Sequence, residues 1–430
     1  IEHTPKLSVM VNIPSSKSHS VRALLLATLA QGTSTLRNVL DADDTAVAQQ
    51  MCSALGAKVT LQQKTATGFD LEVIGTGIPL HPLPTLYSGD SGLTTHFALP
   101  LLGLRTNINT PITLDCGAQM RTRPLQPLID ALNALGMHII SVHQNATCPL
   151  TMTGHLQGGA TNVSGTTSQY LSALLLALPM APHDSSLTVA NLQEAPYARM
   201  TTHWLDKLGI QYHWRQHNNT ELITIPGKQK YHAFEATIPG DFSSASYPLV
   251  AAVMLKSDVT ITGLDFNDAQ GDKRLVNILQ SMGGDVQVQD AGVHVRGGRA
   301  LQGRTIDCND IPDLVPTLAV LGTYAQGETH LINVPQARIK ETDRLHSMSE
   351  GLQQLGADVT EHPAGLTVRT STLQGANLHG YHDHRTVMAL GLAGLMAQGR
   401  TIVDTAESIQ KTFPTYATLM QSLGANIHTV

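Results

Sequence analysis

The chain has 430 residues, of which 42% are hydrophobic, 4% aromatic and 14% charged, with a formal net charge of -6 and a pI near 6.4. That length allows two or three domains with large cores built from Leu, Ala, Val, Ile and Met, and it excludes a disulfide-stapled miniprotein. The acidic balance argues against a nucleic-acid or general polyanion binder, so basic residues that hold an anion must be gathered locally.

In chain order the first signal is the polar turn Ser15-Ser16-Lys17-Ser18, followed by an Ala/Leu-rich helix and the β-branched strand Thr33-Ser34-Thr35-Leu36. A second, amphipathic helix ends at Gly56, and Lys58-Val59-Thr60-Leu61 alternates as a strand does. The pattern then recurs. Polar turns stand at Ser88-Gly89-Asp90-Ser91-Gly92, Thr166-Thr167-Ser168-Gln169, Asp241-Phe242-Ser243-Ser244, Asp310-Ile311-Pro312-Asp313 and His382-Asp383-His384-Arg385. Each precedes an apolar helix. The helix-ending glycines Gly136, Gly209, Gly283, Gly356 and Gly424 follow Gly56 at separations of 68 to 80 residues. Leu125, Leu128, Ile129, Leu132 and Leu135 show the helical spacing before one of them, and Val259-Thr260-Ile261-Thr262 and Asp285-Val286-Gln287-Val288 are further strands.

Six units follow, each predicted as two helices, a glycine C′ cap and strands. Small polar residues before an apolar run are N-cap chemistry, and a helix start attracts anions through its free N–H groups. Six such starts in register point to anionic ligands, although any one turn taken alone reads as an ordinary cap.

Lys17, Arg22, Arg121, Arg123, Arg338, Lys340, Arg344, Arg385 and Lys411 are the basic residues nearest these turns. Arg suits a bidentate grip on phosphate or carboxylate, and Lys supplies a compact charge. Asp313 and Glu341 lie at turns beside this set and are candidates for proton transfer; helix capping for Asp313 and an ion pair for Glu341 are the plain alternatives. The four cysteines show no C-x-x-C pair, so neither a disulfide framework nor a cysteine zinc site is expected. His382-Asp383-His384 lacks a third ligand nearby, so no metal is expected there. Nucleotide P-loop, dinucleotide and esterase-elbow motifs are absent. Apolar stretches such as Leu171–Met180 are too short to span a membrane, and no export signal is evident, so a cytoplasmic location is expected.

Pro14-Ser15-Ser16-Lys17-Ser18-His19-Ser20-Val21-Arg22-Ala23-Leu24, Arg123-Pro124, Gly240-Asp241-Phe242-Ser243-Ser244-Ala245, Ile339-Lys340-Glu341-Thr342-Asp343-Arg344-Leu345, Asp383-His384-Arg385 and Lys411-Thr412-Phe413-Pro414 closely resemble, in order along the chain, the signatures of 5-enolpyruvylshikimate-3-phosphate (EPSP) synthases. The resemblance implies a two-domain inside-out α/β barrel of six βαβαββ repeats, three per domain. Residues 1–14 and 240–430 would form the first domain and 15–239 the second, with the active site in the cleft between them. It implies transfer of the enolpyruvyl group of phosphoenolpyruvate to the 5-hydroxyl of shikimate 3-phosphate in aromatic amino-acid biosynthesis. Neither a cofactor nor a metal would take part, and the small-molecule substrates would be the partners of a monomer.

By the same resemblance Lys17, Gly92, Arg123, Gln169, Arg344, Arg385 and Lys411 hold phosphoenolpyruvate. Ser18, Arg22, Thr167, Ser168, Gln169, Tyr197, Asp313, Gln336 and Lys340 hold shikimate 3-phosphate. Asp313 takes the 5-hydroxyl proton, and Glu341 with Lys17 serves proton transfer at the methylene carbon, with His384 in the catalytic set. Several positions depart from the family pattern. Asp90, Leu93, His96 and Phe97 alter the second polar turn, Ser88–Gly92, and the helix start after it, Glu194 replaces a usual Ser, and Gln336 stands where some members have Asn. Weaker phosphoenolpyruvate binding and reduced inhibition by glyphosate are expected from them. Two alternatives remain at this level. One is the sister transferase acting on UDP-N-acetylglucosamine, for which Cys116 before Arg123 is suggestive but Lys17-Ser18 and the Lys-Glu-Thr-Asp-Arg run are not. The other is a catalytically silent paralogue that binds phosphorylated metabolites.

Overall fold

The recurring glycines end helices as their chemistry requires. In the computed structural model, which describes all 430 residues, Gly56, Gly136, Gly209, Gly283, Gly356 and Gly424 have φ between +72° and +106°. After five of them the following N–H closes back on the helix, as Ala57 does on the Cys52 carbonyl and Ala357 on that of Leu352. These are Schellman bonds, which satisfy carbonyls the helix leaves open.

One repeat shows the plan of the others. Strand Thr85–Tyr87 leads to helix Gly92–Leu101, then strand Ile112–Asp115, helix Gln126–Ala134 and strands Met137–Ser141 and Leu150–Gly154. The first two strands are parallel, the fourth pairs antiparallel with the second, and the third closes the edge. Five four-stranded sheets follow this order. In the sixth repeat only Asn377–Leu378 and Ile402–Val403 pair, and no strand follows Gly424. The strand-like tail expected there meets the N-terminal segment instead, Glu2 N–H donating to the Asn426 carbonyl at 2.9 Å.

The chain divides into two compact units, Lys17–Ile238 and Ile1–Ser16 with Pro239–Val430. Expectation drew the crossings at 14/15 and 239/240. Residues 15 and 16 go with the latter unit because Ser15 bridges Gly240 and Ser16 N–H donates to the Pro239 carbonyl at 2.8 Å. Each unit completes its first sheet with a distant strand. Glu235–Thr237 runs parallel to Gln31–Val39, and Lys6–Asn12 runs parallel to Lys256–Thr262.

Within each unit the first helix of every repeat is the core. All 13 residues of Phe242–Met254 are buried, as are 11 of the 13 in Lys17–Leu29, which matches sequences apolar on every face. Second helices such as Arg274–Ser281 keep one polar face. Gly92–Leu101 packs against both Lys17–Leu29 and Ser168–Ala177, and Phe242–Met254, Val315–Tyr324 and His384–Gly394 pack on one another, with sheets laid against them. This is the inside-out α/β arrangement. Deleting one of these buried leucines, Leu24 or Leu174, costs about 2–5 kcal/mol. Ser168, Ser243, Ser244 and Arg385 are buried polar residues in the first turns of core helices, where caps and open N–H groups can satisfy them.

Candidate active site

In the unit Lys17–Ile238, helix Lys17–Leu29 opens on Lys17, whose Nζ lies 3.0 Å from Asp44 Oδ2. One turn later Arg22 is buried. Its Nε donates to Thr201 Oγ1 at 2.9 Å, Nη1 to the Ser18 carbonyl at 2.9 Å and Nη2 to the Tyr197 carbonyl at 2.8 Å. The guanidinium also stands 5.2 Å from the centre of the Phe97 ring, a cation–π contact. Arg22 therefore ties Ser18 to Tyr197, residues far apart in sequence, and Phe97 is its floor.

Gly92 opens the neighbouring helix. A methyl group there would collide with Arg123 Nη1 and stand 3.6 Å from Gln169 Oε1, so Gly92, Arg123 and Gln169 converge as expected, and the missing Cβ lets the guanidinium approach. His96, where the resemblance calls for Arg, turns inward: its Nδ1–H donates to the Gly92 carbonyl at 2.6 Å and its ring packs 5.5 Å from that of Tyr170. Asp90 accepts the Met120 N–H at 3.0 Å and braces the loop carrying Arg123. Thr167 caps helix Ser168–Ala177 by accepting the Gln169 N–H at 3.3 Å.

The unit of Ile1–Ser16 and Pro239–Val430 holds a different arrangement. Asp313 lies in the short turn Pro312–Leu314, yet its carboxylate does not cap the helix that follows. Oδ1 accepts Arg344 Nη1 at 2.8 Å and Oδ2 accepts Arg385 Nη2 at 2.7 Å. Arg344, 1% exposed, also donates through Nη2 to Glu341 Oε2 at 2.5 Å and through Nε to Asp383 Oδ2 at 2.8 Å. Asp383 meanwhile caps helix His384–Gly394, accepting the Arg385 N–H at 2.7 Å. Two guanidinium groups and three carboxylates thus form one lattice.

Burial alone would raise the Asp313 pKa, but Arg385, Arg344 and Lys340 outweigh it and hold the carboxyl well below the usual range. Burial would lower Arg344, and Asp383, Glu341 and Asp313 reverse that and push it upward. Asp272, absent from the sequence candidates, accepts the Ser243 hydroxyl in the same neighbourhood. Burial, reinforced by the Asp313 charge, pushes its carboxyl up to about 7.

The remaining candidates are spread more widely. His384 is buried with Nδ1 3.9 Å from Asp383 Oδ1, while His382 faces Glu407 at 3.4 Å in the open, so the two histidines look to different surroundings. Gln336 donates to the Asn309 carbonyl at 2.9 Å, Lys340 follows the turn Pro335–Ile339, and Lys411 ends the turn Ala406–Lys411 packed on helix His384–Gly394. Arg121 and Arg338 are occupied by Asp115 and by Asp343 and Glu361 in half-exposed ion pairs apart from this lattice. Asp44 and Asp272 were missed. Asp44 carried a faint signal as the second acid of a helix start, and Asp272 carried none.

Apolar helices inside, sheets outside and arginines such as Arg344 and Arg385 at helix starts define an inside-out α/β scaffold. Residues 1–420 match the family described as EPSP synthase (3-phosphoshikimate 1-carboxyvinyltransferase). A 3-phosphoshikimate 1-carboxyvinyltransferase from Acetivibrio thermocellus is 44% identical over 99% of this chain and 98% of its own length, and one from Methanosarcina mazei is 40% identical over 96% and 95%. Among solved structures, EPSP synthase from Acinetobacter baumannii superposes with a TM-score of 0.82 at 24% identity, covering 100% of this chain and 98% of that one. The enolpyruvyl transferase NikO from Streptomyces tendae reaches 0.78 at 19% identity, covering 100% and 97%. Those two likenesses speak to fold. On the family match and the sequence relatives together, the chain belongs to the EPSP synthase family.

Proposed function

We propose that this protein transfers the enolpyruvyl group of phosphoenolpyruvate to the 5-hydroxyl of shikimate 3-phosphate, releasing inorganic phosphate. The observation that carries the reading is the Asp313 carboxylate, held in place by Arg344 and Arg385 in a chain with few charges to spare. Each substrate brings a carboxylate and a phosphate, and bringing them together unaided is strongly repulsive. Lys17, Arg123, Gln169, Arg344, Arg385 and Lys411 offset that charge on phosphoenolpyruvate, with Gly92 leaving room for Arg123. Ser18, Thr167, Ser168, Tyr197, Gln336 and Lys340 receive shikimate 3-phosphate, and Arg22 holds the Ser18 and Tyr197 backbone that frames it.

In the first step C3 of phosphoenolpyruvate gains a proton from Glu341, which acts in its protonated form once freed from Arg344, C2 is attacked by the 5-oxygen, and Asp313 takes the hydroxyl proton. The resulting tetrahedral adduct then returns a proton from C3 to Glu341 as its C2–O bond to phosphate breaks, releasing inorganic phosphate and leaving the enolpyruvyl ether. Asp313 is a poor base while two arginines hold its charge. An anionic substrate that draws Arg344 and Arg385 away raises its basicity at the moment it is needed. Lys17 stabilises the charge that develops, and His384 lines the same helix start as Arg385.

No helix is long and apolar enough to cross a membrane, and a monomer in the cytoplasm is the setting this reading favours. Phosphate release from the two substrates is the direct test. Turnover dependent on both supports it; binding without turnover would leave a silent paralogue, and turnover only with UDP-N-acetylglucosamine would move the acceptor. In the same assay, the altered turn at Leu93 and Phe97 is expected to weaken inhibition by glyphosate.

A further inference from the structure

Glu194 is 1% exposed, and its carboxylate does not cap its own helix, Ala195–Lys207. The residue sits in the left-handed region at φ 58°, ψ 35°, and the side chain turns to the start of the neighbouring helix Ser168–Ala177. There Oε2 accepts the Thr167 hydroxyl at 3.2 Å, the Ser168 hydroxyl at 3.1 Å and the Ser168 N–H at 3.4 Å. Two hydroxyls and an amide at a helix start are the donors that a phosphate oxygen seeks. The Glu194 carbonyl accepts the Tyr197 N–H at 3.0 Å, and Arg22 grips the Tyr197 carbonyl, which fixes the turn.

We propose that Glu194 is a specificity-determining residue: its carboxylate occupies the donors of the acceptor's phosphate, as an internal anion competing with that phosphate. This rests on the reading above that Thr167 and Ser168 receive shikimate 3-phosphate. The same donors cannot serve both anions, and two negative groups side by side in a buried site repel. The phosphate enters only when Glu194 swings aside. A carboxylate in that place also accepts a hydrogen bond from a plain hydroxyl, so the unphosphorylated acceptor, shikimate, is penalised less than it would be by an empty anion site. The protein accordingly discriminates weakly between shikimate 3-phosphate and shikimate, and Glu194 is the cause.

Titrating each acceptor into the intact protein, with thermal melting as the folding control, tests this. In Glu194→Ser the Kd for shikimate 3-phosphate falls at least about tenfold while that for shikimate does not fall, and the isosteric Glu194→Gln shows the same trend more weakly. Ser168→Ala, placed in the Glu194→Ser background, weakens shikimate 3-phosphate binding. If that last change has no effect, the phosphate is not held at this helix start and the underlying reading falls. If Ser168→Ala does weaken binding yet neither Glu194 variant tightens it, the reading stands and the role given to Glu194 is wrong. Should Glu194→Ser melt early, Glu194→Gln decides: binding no tighter than the parent's overturns the proposal.

Discussion

The two units share one repeat and one core of apolar helices, yet they use their helix starts in opposite ways. In Lys17–Ile238 the starts are lined by hydroxyls, amides, a glycine and the one carboxylate of Glu194, while Lys17 meets Asp44, and Arg22 meets the Thr201 hydroxyl and the Ser18 and Tyr197 carbonyls. In the other unit Arg344 and Arg385 are locked to carboxylates, Arg344 alone touching three. The fold supplies open helix ends everywhere. The side chains placed there decide whether an end receives an anion or positions a proton acceptor.

The sharpest way to break that contrast is Asp313→Ala. Loss of the proton acceptor is expected to lower kcat by about 10²–10⁴-fold. Arg344 and Arg385 are released at the same time, so the KM for phosphoenolpyruvate does not rise. Steady-state kinetics decide, and a fall in kcat of less than about tenfold would remove Asp313 from the chemical step.

A smaller effect is expected from Gly92→Ala in the other unit. The added methyl displaces Arg123 Nη1 from its position beside Gln169. The KM for phosphoenolpyruvate should rise by about tenfold, equivalent to about 1.4 kcal/mol, with kcat less affected. An unchanged KM would mean that the Arg123 position seen here is not the one the substrate uses.

The mildest test concerns pH and stability. The Asp272 carboxyl is raised in the folded chain from 3.8 to about 7. A raised acid contributes stability that is fully present below its unfolded pKa and is lost as pH rises through the folded value. Asp272→Asn should therefore flatten the decline in thermal stability between about pH 4 and pH 7, while Asp313, held low, contributes in the reverse sense at acid pH. Parallel melting curves for Asp272→Asn and the parent across that range would show that burial does not hold Asp272 neutral.

Much of the fold was legible before any coordinates. Gly56 and its five counterparts end helices because only the local backbone decides whether a left-handed residue is tolerated. Asp241 and Asp383 capped the helices they preceded for the same local reason. Among the candidate residues, Gly92, Arg123 and Gln169 come together, as do Asp313, Glu341, Arg344 and Arg385.

Other features belong to tertiary structure alone. That Glu235–Thr237 supplies the edge strand for Gln31–Val39 could not be read from a repeat counted in chain order. Nor could the sixth repeat's missing strands, which give way to contact with the N-terminal segment. Asp272 became an up-shifted acid, and Glu194 an occupant of the neighbouring helix start, only through burial and charges brought from far along the chain. Periodicity, caps and turns are governed by bonds within a few residues, so the order of residues determined them. Which carboxylate meets which arginine, and how far water is excluded from each, depends on helices packing across hundreds of residues, and that only the folded chain decided.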